Sequence, residues 1–445
     1  MDSFVLKLAV SQGNATKPIG MLCEAITPEL NALIEQISEI TATINPVEVY
    51  TPVNGQKEKK KFIDAFNAGE RYNPVFEYDQ DLLIKTIGKR RPLLRLRTKL
   101  LKLESEDVER ELLRRMVLAR VEDALSTTRI AIGIFNRNDY MTAGNMRRKY
   151  GNVSKELHAE AMSLHKQAAT QVQKTRPKAE FWTRRQIQKL EKKTYDALGI
   201  KSAFEYALVL YGFENDWTVV ISDKVSAIDV RDKSQNERPS IYIPSHRTVS
   251  GVKLLELIGH EIECHVRQSM NGNSLLPHLG GGKLKTDDET FYEGLALMSD
   301  VDFSLKYLGD DTKKPKPYYT MAIKLAREGK DFYEVFRTIY WFRSAVEGEE
   351  KALGTSWSTC FRVFRGITET KTNRYKYACS KDKAYLEGYL YAEKMATIAD
   401  THRLLQSGVW SHSDLKALAG YTAEVMYPRI NVVAAVAGVL LSETK

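Results

Sequence analysis

Val252-Lys253-Leu254-Leu255-Glu256-Leu257-Ile258-Gly259-His260-Glu261-Ile262-Glu263-Cys264-His265 is the stretch on which the reading of this chain turns. Apolar residues at Leu254, Leu255, Leu257, Ile258 and Ile262 recur at helical spacing, and Asn271-Gly272 follows as a stop signal, so a helix is expected over Val252–Met270. Inside it two histidines stand five residues apart, with a glutamate next to the first. On a regular α-helix that step separates two side chains by about 140° around the axis, against about 40° for the four-residue step of HExxH. Both imidazoles reach one ion only if the helix is locally widened. The spacing therefore predicts a π-type distortion between His260 and His265. Two imidazoles and a carboxylate form a common donor set for catalytic zinc with a further position left for water, and a neighbouring glutamate, here Glu261, can take that water's proton.

The carboxylate donor is expected from Glu293, in the helix-compatible run Thr290–Phe303 that begins 25 residues beyond His265. Gly294, next to it, is expected to let that helix approach the His260 helix closely. His278 competes for the same role, but it stands in the Pro/Gly-rich loop Leu276–Gly282 and is less firmly positioned, so the reading prefers Glu293. Asp300, seven residues after Glu293 and on the same helical face, is a candidate acceptor for the second ring N–H of a ligand histidine. Cys264 reads as an inert buried thiol.

Working outward, Trp217–Ile221, Ala227–Val230 and Ser240–Pro244 are short β-branched and aromatic runs separated by polar turns, the signature of a small sheet. Ile241–Pro244 is expected to be an edge segment, where an extended peptide substrate is presented in many zinc peptidases. The flanking sequence is helical: upstream from the Thr27-Pro28 start signal, and downstream over Phe332–Phe342 and Lys383–Ile398. Thr51–Lys61 reads as an exposed loop. The expected fold is predominantly helical α+β, with a zincin-like peptidase core and a small sheet beside the HExxxH helix. The expected division is a helical N-terminal region (1–180), the core with the sheet and both motif helices (181–310), and a helical C-terminal region packed on it (311–445).

At 445 residues and 43% hydrophobic content, a deep core is expected and disorder is excluded as the main state. Four cysteines without a CxxC pair fit reduced thiols in a cytoplasmic setting. Met1–Asn14 lacks the pattern of a secretory signal, and the apolar run Val432–Leu441 is too short for the ~30 Å of hydrocarbon in a bilayer, so no membrane partner is expected. The net charge of +9 raises the question of nucleic acid. Its densest run, eight basic residues and no acid over Lys85–Lys102, also carries Leu93, Leu96, Leu100 and Leu103 at helical steps. That is an amphipathic helix with a solvated basic face, without the interleaved aromatics of an RNA-binding module. The positive field instead favours acidic polypeptide tails.

Five blocks in fixed order carry a family resemblance: Leu257–Ile262 with His265; Asn271-Gly272; Tyr292-Glu293-Gly294-Leu295-Ala296; Arg362-Val363-Phe364-Arg365-Gly366 with Thr370; and Ser380-Lys381-Asp382-Lys383-Ala384-Tyr385-Leu386-Glu387-Gly388. In these the chain, from roughly Glu24 to its C-terminal helices, resembles the HExxxH zinc carboxypeptidases, which include the microtubule-associated tyrosine carboxypeptidase and bacterial flavohemoglobin expression-modulating QEGLA-motif proteins. The resemblance implies that His260, His265 and Glu293 bind Zn2+, that Glu261 activates water, and that a C-terminal tyrosine or other aromatic residue is removed from a polypeptide. Such an enzyme must recognise a free carboxylate, and Arg362, Arg365, Lys381 and Arg247 are the candidates in or near the matched blocks. Tyr385 is a candidate donor to the developing oxyanion. The chain departs from the family pattern at Glu263-Cys264, at Tyr292 and at Arg267, which leaves substrate preference open, tubulin included. Two alternatives stand beside this reading: a zinc endopeptidase or aminopeptidase, and a basic non-catalytic binding protein with a structural metal site.

Overall fold

Apolar residues at three- and four-residue steps fold most of the chain into helices, and these pack around three buried apolar cores. The computed structural model describes residues 17–103, 107–170, 179–225, 227–231, 238–282, 284, 286–310, 313–427 and 430–442. Met1–Asn14, read above for a leader, lies outside them. The architecture is predominantly helical α+β, as expected.

The elements that position the site are few. Helix α1 (Val108–Phe135) is capped by the Asp107 side chain, which accepts from the backbone N–H of Arg110. Helix α2 (Ala197–Tyr211) starts at an Asp196 cap and ends at Gly212, whose φ of +76° favours glycine. Three strands follow: β1 (Thr218–Ser222), β2 (Asp229–Arg231) and β3 (Ser240–Pro244). β3 lies in the middle, parallel to β1 and antiparallel to β2. Ile241–Pro244 is therefore not the expected edge. Ser240, Ile241, Ile243 and Pro244 are all buried, and a strand covered on both faces belongs at the centre of a sheet. The edge strand that packs against the His260 helix is β2.

That helix is continuous but not uniform. It begins as α3 (Gly251–Leu257) under a Ser250 cap, widens into a π-helical segment over Ile258–Val266, and returns to ordinary winding as α4 (Arg267–Leu275). It runs straight through the expected stop at Asn271-Gly272. There Gly272 serves a close approach, since a Cβ on it would fall 1.8 Å from the carbonyl oxygen of Gly280. Asn271 is buried, donating to the Gln406 carbonyl at 3.0 Å and accepting from the Met426 N–H at 2.9 Å. Tertiary contacts thus override the local stop signal.

Helices α5 (Thr290–Phe303), α6 (Glu349–Phe364) and α7 (Ala384–Ala396) complete the frame. α5 packs on both the π segment and α7. Gly294 serves the second contact, not the first as expected: a Cβ there would lie 2.2 Å from the Gly388 carbonyl carbon, so two glycines let α5 and α7 cross backbone to backbone. In the N-terminal region, most of the expected loop at Thr51–Lys61 is helical, within Gly55–Asn67, because Glu58 and Phe62 share a buried face. The basic run behaves as expected, as helix Arg90–Lys102 with Leu93, Leu96 and Leu100 buried. No described helix is long and apolar enough to cross a membrane.

Candidate metal and active site

The π segment brings together what the sequence separates. Hydrogen bonding from i to i+5 returns residues five apart to one face of the helix. His260 and His265 accordingly meet with ring centroids 5.0 Å apart and planes at 87°. Among the described residues, donor atoms of His260, Glu261 and His265 all lie within 4.8 Å of one another. Glu261 and His265 are buried, and His260 is partly open. Apolar neighbours on the same segment, Ile258, Ile262 and Val266, anchor it in the core shared with α2, β1 and β3.

α5 supplies the other wall. Tyr292 stacks on the His265 imidazole at 3.8 Å and 20°, which fixes that ring's plane. Asp300 places Oδ1 3.3 Å from His260 Nδ1, the position expected of an outer partner. Glu293 stands between them in sequence and does not join the 4.8 Å group, yet its charge acts on both His260 and Glu261. His278, in a left-handed backbone conformation at φ +69°, does not join it either.

The electrostatics are those of crowded acids. Burial lifts the Glu261 pKa to about 7, with Glu293 and Asp300 adding to the rise and His260 opposing it. Burial also lifts Glu293 to about 6, helped by Glu289 and resisted by His260, Lys381 and Arg362. For His260 burial works downward, but the hydrogen bond to Asp300 and the charges of Glu261 and Glu293 outweigh it and hold the imidazole at about 9.

The cationic candidates divide. Arg362 forks onto Asp382 at 2.9 and 2.6 Å, and also donates to the hydroxyls of Tyr319 at 3.3 Å and Tyr385 at 3.2 Å. Arg365 reaches the same carboxylate at 3.3 and 3.4 Å, so two guanidiniums share one Asp382. The Tyr385 hydroxyl is pushed up first by the charge of Glu293, and the charge of Arg362 in turn works to hold Glu293 down. Lys381 bridges Asp287 and Glu289, each at 2.7 Å. Arg247 lies in the turn after β3, its backbone N–H donating to the Pro244 carbonyl, and among the described residues it is not joined to the His260–Glu261–His265 group. The sequence reading missed the packing of Tyr292 on His265, although the aromatic ahead of Glu293 was visible. It also missed Tyr319, for which the sequence holds no signal.

His260, Glu261 and His265 form a candidate metal-binding group, with two imidazoles and a carboxylate of the kind that suits a zinc ion, and with Asp300 behind His260. Fold and site together define a predominantly helical α+β protein with a His/Glu metal-donor centre built on a widened helix. The chain belongs to the microtubule-associated tyrosine carboxypeptidase family, whose model matches residues 61–429. It is a family of carboxypeptidases, and its substrates are accordingly polypeptides. No curated protein matches the chain.

Proposed function

We propose that this chain is a zinc-dependent carboxypeptidase that removes a C-terminal tyrosine or other aromatic residue, with His260, His265 and Glu293 as the metal ligands and Glu261 as general base and acid. The observation that carries the reading is the convergence of His260, Glu261 and His265 on one face of the π segment, with Glu293 on the helix packed against it. Bound zinc would supply Lewis-acid polarisation of the scissile carbonyl and a lowered water pKa. Glu261 is buried with a pKa lifted to about 7, so it can take a proton near neutral pH and return it to the leaving amine. Asp300 holds the outer nitrogen of His260, and Tyr292 holds the plane of His265.

The substrate carboxylate has a natural receptor in the Arg362–Arg365–Asp382 cluster, whose Arg362 acts on the charge of Glu293. Arg362 and Arg365 together carry one positive charge more than Asp382 neutralises, and the half-buried Arg362 presents it with the Tyr319 and Tyr385 hydroxyls alongside. The +9 charge favours acidic tails as substrates, and four free cysteines suit a cytoplasmic setting.

The test combines metal analysis with mass spectrometry of peptides of varied C-terminal residue. Stoichiometric zinc is expected, along with cleavage that stops when the C-terminus is capped as an amide. Glu261→Gln should keep the metal and lose about 10²- to 10⁴-fold in rate. Equal cleavage of capped peptides would establish the endopeptidase alternative, and a zinc-free, chelator-insensitive enzyme would remove the metal reading.

A further inference from the structure

The π segment has a second face, and it borders a cavity. Glu263, Cys264 and Arg267, which the metal reading leaves without a role, point away from His260 and His265 into a space of about 530 Å3. Met298 and Phe303 of α5 form part of its apolar wall, and none of the four proposed metal-site residues lines it. The volume falls in the range of small-molecule sites. Three large hydrophobic side chains at its rim, Phe181, Tyr427 and Ile430, are 47%, 54% and 47% exposed, an apolar mouth of the kind that rarely stands open without purpose.

Two polar groups inside keep atoms without partners. The Arg267 guanidinium lies over the Tyr427 ring, 5.2 Å from its centroid, with its Nε buried and without a hydrogen-bond partner. It forms no ion pair among the described residues. Gln268, 2% exposed, spends its amide N–H on the Leu405 carbonyl at 3.0 Å and leaves Oε1 unpartnered at the same wall. An arginine fork stacked on an aromatic ring, with its Nε unpartnered and no ion pair, suits a planar carboxylate. Glu263, four residues earlier on the same wall, is tied to the Tyr211 hydroxyl and the Val433 backbone N–H, and its charge acts on Arg267 without an ion pair between them.

We infer that this cavity is a binding site for a free aromatic α-amino acid, with its carboxylate on Arg267, its ammonium toward Glu263 and its ring among Met298, Phe303 and the rim aromatics. The site is separate from the proposed catalytic centre and does not depend on the peptidase reading, although an aromatic amino acid is also the class of product that reaction would release. Its walls are the two helices that carry His260, Glu261, His265 and Glu293, held together here by the Cys264 thiol to the Leu295 carbonyl at 3.7 Å and the Ser299 hydroxyl to the Gly259 carbonyl at 3.5 Å.

Isothermal titration calorimetry on the full chain tests it, with L-phenylalanine, L-tyrosine and L-phenylalaninamide as probes. The two acids should bind, and the amide should bind about tenfold more weakly because it lacks the charge-assisted pair. Arg267→Gln should weaken the acids by the same factor and erase their advantage over the amide. Met298→Trp, which fills the apolar wall, should abolish binding of all three, and Glu261→Gln should leave it unchanged. Far-UV circular dichroism establishes that each variant is folded. The inference is overturned if millimolar L-phenylalanine gives no heat with the wild type, if both cavity variants bind as the wild type does, or if Glu261→Gln abolishes the signal and so places the ligand in the catalytic centre.

Discussion

Two buried charge clusters flank α5, and they resolve the same electrostatic problem in opposite ways. At its start, Asp287 accepts from Lys381 at 2.7 Å and from the Tyr150 hydroxyl, and lies 3.5 Å from Lys149, which itself pairs with Asp123 at 3.0 Å. Burial pushes the Asp287 carboxyl up, but the two lysines prevail and hold it below the usual carboxylate range. Asp382, between two arginines, is likewise held down against its burial. Between the first turn of α5 and the π segment the outcome reverses. Glu261 and Glu293 are buried with neighbouring acids, and the cations that act on them, His260 on both, Lys253 on Glu261, and Lys381 and Arg362 on Glu293, do not offset their burial, so both rise, to about 7 and about 6. Desolvation acts in the same direction everywhere, so the sign of the shift reports whether the chain provides its own cations. Where it does, the cluster is part of the framework. Where acids and imidazoles are gathered without enough cation, the arrangement suits an ion from outside and a proton moved at neutral pH.

The sharpest way to break this contrast is to remove one donor from the uncompensated cluster. His265→Ala is expected to lose stoichiometric zinc and, with it, several kcal/mol of transition-state stabilisation, about 10³-fold or more in rate. Metal analysis and peptide cleavage on the folded variant check it. Retention of both metal and activity would assign His265 to packing against Tyr292 alone.

The next effect falls on stability and should spare the metal. Asp287→Asn takes the shared carboxylate from Lys149, which keeps Asp123, and from Lys381, which keeps Glu289, and costs about 1–3 kcal/mol. Urea unfolding measures it, and zinc content should stay stoichiometric. The pH dependence carries the sign. A carboxylate whose folded pKa is depressed adds stability that is present above its unfolded pKa of about 4 and is lost as pH falls toward the folded value. Wild-type stability should therefore drop on acidification below about pH 4, and Asp287→Asn should show a shallower acid slope. An unchanged slope would mean that Asp287 contributes no such linkage.

What was legible in the sequence follows the same divide. The uncompensated centre announced itself, because HEIECH states its problem locally: two imidazoles five apart on an apolar helix call for widening, and the widening is there at Ile258–Val266. The compensated clusters did not, because their pairs are made at long range. Lys381 meets Asp287 across 94 residues and Tyr150 meets it across 137, so no local pattern showed that Lys381 is held between carboxylates. Strand order was hidden for a similar reason. The β3 sequence reads as a strand wherever it sits, and only the pairing of β1 and β2 on either side makes it central. At Asn271-Gly272 and Gly294 the residues were noticed but their partners, Gly280, Gln406 and Gly388, lie in segments that the helix pattern does not connect.

The finest test lies at the boundary between the two kinds of cluster. Asp300 is a nearly buried carboxylate with its Oδ1 beside Nδ1 of His260, so in the proposed metal site its charge would orient that ring and support a bound ion. Asp300→Asn preserves shape and keeps an acceptor but removes the charge. Zinc affinity, measured by competition with a fluorescent chelator, should fall by about 10- to 100-fold, the usual range for partners behind a ligand histidine. Asp382→Asn supplies the contrast: it removes a more deeply buried charge next to Arg362 and Arg365, and its damage should register in unfolding and in cleavage, with zinc affinity unchanged. Equal losses of zinc affinity in the two variants would mean that any buried charge in this region supports the metal, and the distinction between a self-neutralised framework and an ion-seeking centre would fail.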